Sequence, residues 1–188
     1  METIECQSTE KIDPRAKRTL KMLEDAWRAL MAERSFPEIT VADITERAGV
    51  NRATFYAHFE DKAHLATTIL RADLVSALRD ALGGPCPFQA ENLQKFAVVV
   101  FKFFDSLHMP CASDHTVGMT LQKALEDFIL MWLRHEQNAM RSFPGSTAEI
   151  ASMVIAWSLY GGAIRWSHEV DRPGVSDAAQ SVVSIVLR

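Results

Sequence analysis

Residues 40–62 read T-V-A-D-I-T-E-R-A-G-V-N-R-A-T-F-Y-A-H-F-E-D-K, and the fold is decided there. Thr40, with Asp43 three residues on, is a capping box with Asp in place of Glu and marks a helix start. Val41, Ile44 and Ala48 recur at i, i+3 and i+7, which gives that helix one apolar face. Gly49 stands where a helix ends in the left-handed conformation that glycine reaches at low cost. Val50 reads as a core plug at the turn, and Asn51 is suited to cap a second helix. In that helix Phe55 and Phe59 lie four apart and face inward, so Arg52, Thr54 and Tyr56 project mainly elsewhere. Asp61 caps a further helix and places Lys62 in its first turn. Two short helices, a glycine turn, and a second helix carrying Asn51, Arg52, Thr54, Tyr56 and His58 make the layout of a helix-turn-helix. Its second helix enters the DNA major groove. Spacing alone also suits three helices with a polar middle and no nucleic acid.

The residues go further than the spacing. The run I-T-V-A-D-I-T-E-R-A-G-V-N-R-A-T-F-Y-A-H-F-E-D-K-A-H-L closely resembles the DNA-binding domain of the TetR family of bacterial transcriptional regulators. The preceding L-K-M-L-E-D-A-W-R-A-L-M-A-E-R-S-F-P-E fits too, and the resemblance covers about residues 15–75. It implies that Thr40 caps its helix against a phosphate and that Arg52 and Thr54 lie on the exposed side of the recognition helix. It also implies that Tyr56 and His58 meet the sugar-phosphate backbone, and that Lys62 holds a phosphate at a helix N-terminus, where the dipole helps. Arg52 is the candidate for base readout, where a bidentate Arg–guanine contact discriminates by about 1–3 kcal/mol. Two alternatives stand beside these roles: Arg52 on a phosphate only, and His58 as packing between helices.

The net charge of −4 looks wrong for a DNA binder until it is localised. Lys11, Arg15, Lys17, Arg18 and Lys21 face one acid, Asp13, at the start of the first helix. Affinity needs a local basic face rather than a basic chain; a merely solvated helix end is the bland alternative. With 188 residues and 48% of them hydrophobic, the chain suits one or two small globular domains. No run of about 18 apolar residues occurs, so no transmembrane helix and no membrane partner are expected. The N-terminus lacks a signal-peptide apolar region, so the expected location is cytoplasmic. Three widely spaced cysteines suggest no disulfide framework. There is no G-x-S-x-G elbow, no phosphate-binding glycine loop and no H-E-x-x-H, so neither an enzyme nor a cofactor is expected.

The pattern predicts an all-α chain, and the resemblance implies an N-terminal three-helix helix-turn-helix domain plus a C-terminal helical domain for ligand binding and dimerisation. The expected divisions are 1–62, a connecting helix and linker at 63–87, and 88–188. Residues 1–12 read as a tail, and the first helix as Pro14–Arg34 with Leu20, Leu23, Trp27, Leu30 and Met31 in its buried stripe. The fourth helix reads as Lys62 to about Leu82, ended by Gly83-Gly84-Pro85-Cys86-Pro87. Phe88–Leu107 reads as a very apolar helix, with a strand as the alternative for its β-branched run. Thr116–Arg141 follows as a long helix with a kink expected near Gly118, then Thr147–Glu169 with Ser146 and Glu149 as its capping box, then a last helix capped by Ser176.

The resemblance is looser over 88–188, where A-W-S-L-Y-G-G-A-I-R-W-S-H-E is similar to the family's penultimate helix. It implies a small-ligand site and a dimer contact of two helices per subunit. Candidate ligand-binding residues are Phe101, Phe104, His108, Met119, Phe128, Trp132, Trp157 and Tyr160, with His115 and Arg165 as further polar anchors. Ordinary core packing is the alternative for each. Gly161-Gly162 costs roughly 1 kcal/mol per residue inside a helix; close approach at a dimer interface would offset this, and a broken helix is the other reading. His108, Cys111 and His115 supply three borderline ligands for a metal or thiol site, but no fourth ligand stands in register, and no metal is expected. The expected function is a homodimeric, ligand-responsive repressor on a palindromic double-stranded operator, released by a small hydrophobic or aromatic effector. The rivals are a helix-turn-helix protein without an effector and a metal or thiol sensor using the His108–His115 loop.

Overall fold

The computed structural model describes residues 14–107, 115–136 and 139–188. Among the described residues the regular structure is helical throughout, without a strand. The helices are α1 (Pro14–Glu33), α2 (Val41–Ala48), α3 (Arg52–Tyr56), α4 (Lys62–Leu82), α5 (Ala90–Ser106), α6 (His115–His135), α7 (Ala148–Ser167) and α8 (Val175–Val186).

The first three form a small unit around Leu23, Trp27, Leu30, Ile44 and Phe55, all buried. Full burial of one such side chain contributes about 1.5–3 kcal/mol. Leu20 and Met31 sit at the edge of this stripe rather than inside it. α4 touches α1 and packs more extensively against α5 and α6, so it links the small unit to the larger bundle. In that bundle α5 lies between α4, α7 and α8, while α6 crosses α7. One continuous apolar core runs through both.

Several element bounds differ from expectation, each for a local reason. The β-branched run is the expected helix and not the alternative strand, though it starts at Ala90 and not at Phe88: Leu93, Phe96, Ala97, Val100, Phe101 and Phe104 recur at helical spacing and are all buried. The expected helix 116–141 stops at His135, and Ala139–Ser142 is a separate 3-10 turn. The helix after Gly145 is capped by Thr147, whose hydroxyl accepts from the Ile150 N–H at 3.3 Å, and not by Ser146. The last helix starts beyond Gly174, whose carbonyl accepts from the Ala178 N–H at 3.0 Å, so Ser176 is already inside it. A 3-10 turn at Phe36–Glu38, begun by a Ser35–Glu38 capping box, lies between α1 and α2.

α7 runs unbroken through Gly161-Gly162. The two glycines differ in purpose. A Cβ on Gly162 would meet Val182 Cγ2 at 2.9 Å and Phe101 Cζ at 3.3 Å, so this glycine lets α8 and α5 approach α7 within one subunit. A Cβ on Gly161 would meet nothing within 4 Å.

Candidate nucleic-acid interface

α2 and α3 are placed by their own caps. Thr40 Oγ1 accepts from the Asp43 N–H at 3.2 Å, and the Thr40 N–H and hydroxyl donate to the Asp43 carboxylate at 2.8 and 2.6 Å. These bonds hold the Asp43 carboxyl below the usual range. Gly49 ends α2 at φ 67°, ψ 30°, where its N–H and that of Val50 cap the last carbonyls. Asn51 Oδ1 then takes the Thr54 N–H at 2.7 Å and the Thr54 hydroxyl at 2.9 Å, starting α3. Phe55 is wholly buried and Phe59 nearly so, their rings 5.7 Å apart, and they fix α3 on the core.

That anchoring turns the other side of α3 outward. Arg52 and Tyr56 lie four apart, hence on one face. Arg52 is exposed and has no side-chain hydrogen bond or ion pair with any described residue. Tyr56 is 56% exposed, its ring set edge-on to Phe55. His58 is half-buried beside Phe59, with ring centroids 6.4 Å apart. Thr54 is half-buried and its hydroxyl proton goes to Asn51. Arg15, Lys17, Arg18 and Lys21 are exposed on the first turns of α1, which has no acid in its first turn; Lys11 lies outside the described residues.

Lys62 is placed differently. Its ammonium donates to the carbonyls of Phe36, Pro37 and Ile39 at 3.0, 3.1 and 2.6 Å and sits 4.8 Å from the centre of the Phe36 ring. Every proton on that group has an internal acceptor, so Lys62 ties the start of α4 to the segment between α1 and α2. Two ion pairs reinforce the segment: Arg47 grips Glu33 through two bonds of 2.9 and 2.7 Å, and Arg34 reaches Asp43 at 3.4 Å. The Arg47 guanidinium holds the Glu33 carboxyl below the ordinary carboxylate range.

The seven described ligand-site candidates do not converge on one cavity. Phe128 and Trp132 line a hollow of about 540 Å³ between the end of α4, the turn at 83–87 and the end of α6. Phe101 and Phe104 are core, packed on Trp166 at 5.7 Å and Tyr160 at 5.3 Å. Met119 is exposed, and Trp157, at 45%, is exposed too. Of the further anchors, His115 is exposed at the start of α6, and Arg165 pairs with Glu169 at 3.1 Å. His108 and Cys111 lie outside the described residues, among which no group of three metal-ligating side chains occurs. Sequence reasoning missed Arg79, Leu82, His135 and Glu136, which also line the hollow. The 83–87 break and the Phe128–Trp132 spacing were visible, but their meeting is a tertiary fact. On the outside of α7, Ile150, Val154, Trp157 and Gly161 share one face, and Ile185 of α8 is also exposed. No helix among the described residues is long and apolar enough to cross a membrane.

Comparison with known proteins agrees with this geometry. Residues 24–69, which span α2, α3 and parts of α1 and α4, match the family described as bacterial regulatory proteins, tetR family. A curated relative, the uncharacterized HTH-type transcriptional regulator YxbF of Bacillus subtilis, is 26% identical over 83% of this chain and 42% of its own length. The chain thus spans less than half of that relative. Among solved structures, a TetR transcriptional regulator from Streptococcus agalactiae superposes with a TM-score of 0.63 at 20% identity, covering 94% of this chain and 97% of the other. RolR, solved with resorcinol, gives 0.66 at 21% identity over 93% and 88%. At such identities the likeness shows the fold: a helix-turn-helix domain followed by a helical domain.

Proposed function

We propose that this chain, which belongs to the TetR family of bacterial regulatory proteins through its residues 24–69, is a dimeric repressor that reads a palindromic operator in the bacterial cytoplasm. The family is a non-enzymatic, DNA-binding one. A small hydrophobic or aromatic molecule held in the C-terminal half would release the operator. The observation that carries the reading is the outer face of α3. Arg52 and Tyr56 point away from a core fixed by Phe55 and Phe59, and Arg52 has no described partner to satisfy it. In this reading Arg52 takes a base edge, while Tyr56, His58 and the amide of Asn51 face the sugar-phosphate backbone. One five-residue recognition helix covers too few base pairs for specificity; two of them about 34–36 Å apart read a palindrome. Basic side chains at the start of α1 add phosphate contacts and make affinity salt-dependent.

The test is selection of duplexes from a random pool, followed by titration of the selected site. Arg52→Ala is expected to weaken specific binding at least tenfold at about 0.15 M salt, as loss of a base contact does, and Tyr56→Ala to weaken binding by loss of a backbone contact, while both variants stay dimeric. Wild-type affinity in both variants would remove α3 from the interface. Affinity should also fall steeply as salt is raised; a flat response would remove the phosphate contacts.

A further inference from the structure

We infer that the hollow between the end of α4, the 83–87 turn and α6 takes an organic anion with an apolar body, its acidic group met by Arg79. The space is about 540 Å³, and its walls are Leu82, Pro85, Phe128, Met131 and Trp132. The Trp132 wall is fixed: its ring stands 5.0 Å from Phe88 and 5.9 Å from Phe96, and its indole N–H donates to the Cys86 carbonyl at 2.7 Å. That indole therefore has no hydrogen left for a ligand. The Cys86 thiol, whose pKa burial raises, lines the hollow as a neutral group. An apolar ligand body is what such walls recognise.

Polar recognition is left to the charged residues among the lining: Arg79, His135 and Glu136. Glu136 has an interaction of its own. His135 already bonds the Met131 carbonyl through Nδ1 at 3.0 Å. Arg79 is exposed on the last turn of α4 and has no side-chain partner among the described residues. A carboxylate at the mouth supplies that partner in the two-pronged geometry that guanidinium favours. A neutral ligand leaves it unused, and a cation gains nothing from it.

A larger hollow of about 850 Å³ lies between α1, α4 and the end of α5. Its lining ends at Leu107, and its Arg28 and Asp73 side chains already pair at 2.7 Å. It therefore carries no comparable argument.

Arg79 and Leu82 belong to α4, whose first residue is the Lys62 that holds the segment before α2. Only the regulatory consequence of binding rests on the ligand-responsive reading proposed above; binding itself does not. The test uses the full chain with 4-phenylbutyrate and decanoate, against the neutral 4-phenylbutan-1-ol and decan-1-ol. Calorimetry should show each acid binding about tenfold tighter than its alcohol, the increment of one charge-assisted contact. Arg79→Gln should erase that difference and leave the alcohols unchanged, which also shows that the variant is folded. Met131→Glu, at an exposed wall position, should weaken all four probes. Equal binding of acids and alcohols, or no effect of Arg79→Gln, would overturn the anion site while leaving the DNA-binding reading intact. So would absence of any binding up to about 1 mM, a level that still reports a weak site. Arg79-dependent acid binding that leaves operator affinity unchanged would support the site and overturn the release mechanism instead.

Discussion

The ammonium of Lys62 has three protons, and three main-chain carbonyls stand within 3.1 Å of it. A phosphate contact would require it to abandon at least one of them. Hydrogen bonds to a charged group contribute about 1.5–3 kcal/mol each in favourable cases, and stripping the donor leaves part-buried carbonyls unsatisfied. Lys62→Met is therefore expected to lower unfolding free energy by about 2 kcal/mol and to weaken operator binding through a loosened α1–α2 segment. The slope of log affinity against log salt should stay that of the wild type. A lysine on a phosphate would instead contribute about 0.9 to that slope. A slope reduced by about one unit, with stability unchanged, would put Lys62 on the duplex and outside the scaffold. Thr40 repeats the pattern on a smaller scale, since its hydroxyl proton already goes to Asp43. Arg52 is the contrast: it has no described internal partner, which suits a residue that waits for a base.

Helix starts were legible wherever one side chain caps its own helix. Thr40, Asn51 and Asp61 each accept an N–H three residues on, as their spacing foretold. They were illegible where neighbours compete or the backbone acts alone. Ser146 and Thr147 are both able to cap α7, and only Thr147 does, while Gly174 precedes α8 with no side chain to signal it. What lay furthest from reach was contact between distant stretches, such as Lys62 on Phe36–Ile39 or Arg79 beside Trp132, because no local pattern encodes it. Gly161 and Gly162 show the same limit inside one element. The pair reads as one feature in sequence, yet only Gly162 touches α8 and α5. Gly162→Ala should destabilise the subunit by about 1–3 kcal/mol through overpacking against Val182. Gly161→Ala should stabilise it by about 0.5–1 kcal/mol, the ordinary helix preference for alanine. Denaturant titrations of the two variants decide the point; equal and opposite signs from those expected would mean that α7 sits differently against α8.

Ile150, Val154, Trp157 and Gly161 form an apolar stripe along α7 that the subunit itself leaves uncovered, with Ile185 exposed on α8. A stripe of this kind on an otherwise well-buried bundle marks an association surface. A second copy of the chain is the occupant that the DNA reading demands, because a palindrome needs two α3 helices held at fixed separation. Trp157→Glu should break that contact, since loss of a central aromatic anchor costs about 2 kcal/mol or more and each dimer loses two. Sedimentation equilibrium should then show a folded monomer, Trp157 being 45% exposed within the subunit and so not needed for its core. The wild type should prefer a complete palindrome to a half-site by a wide margin, whereas the variant should bind both alike. A variant that stays dimeric at wild-type affinity would move the interface elsewhere. The half-site comparison also bears on the net charge of −4. If two basic α1 starts are presented together, an acidic subunit is no obstacle, since the local basic face and not the net charge meets the duplex.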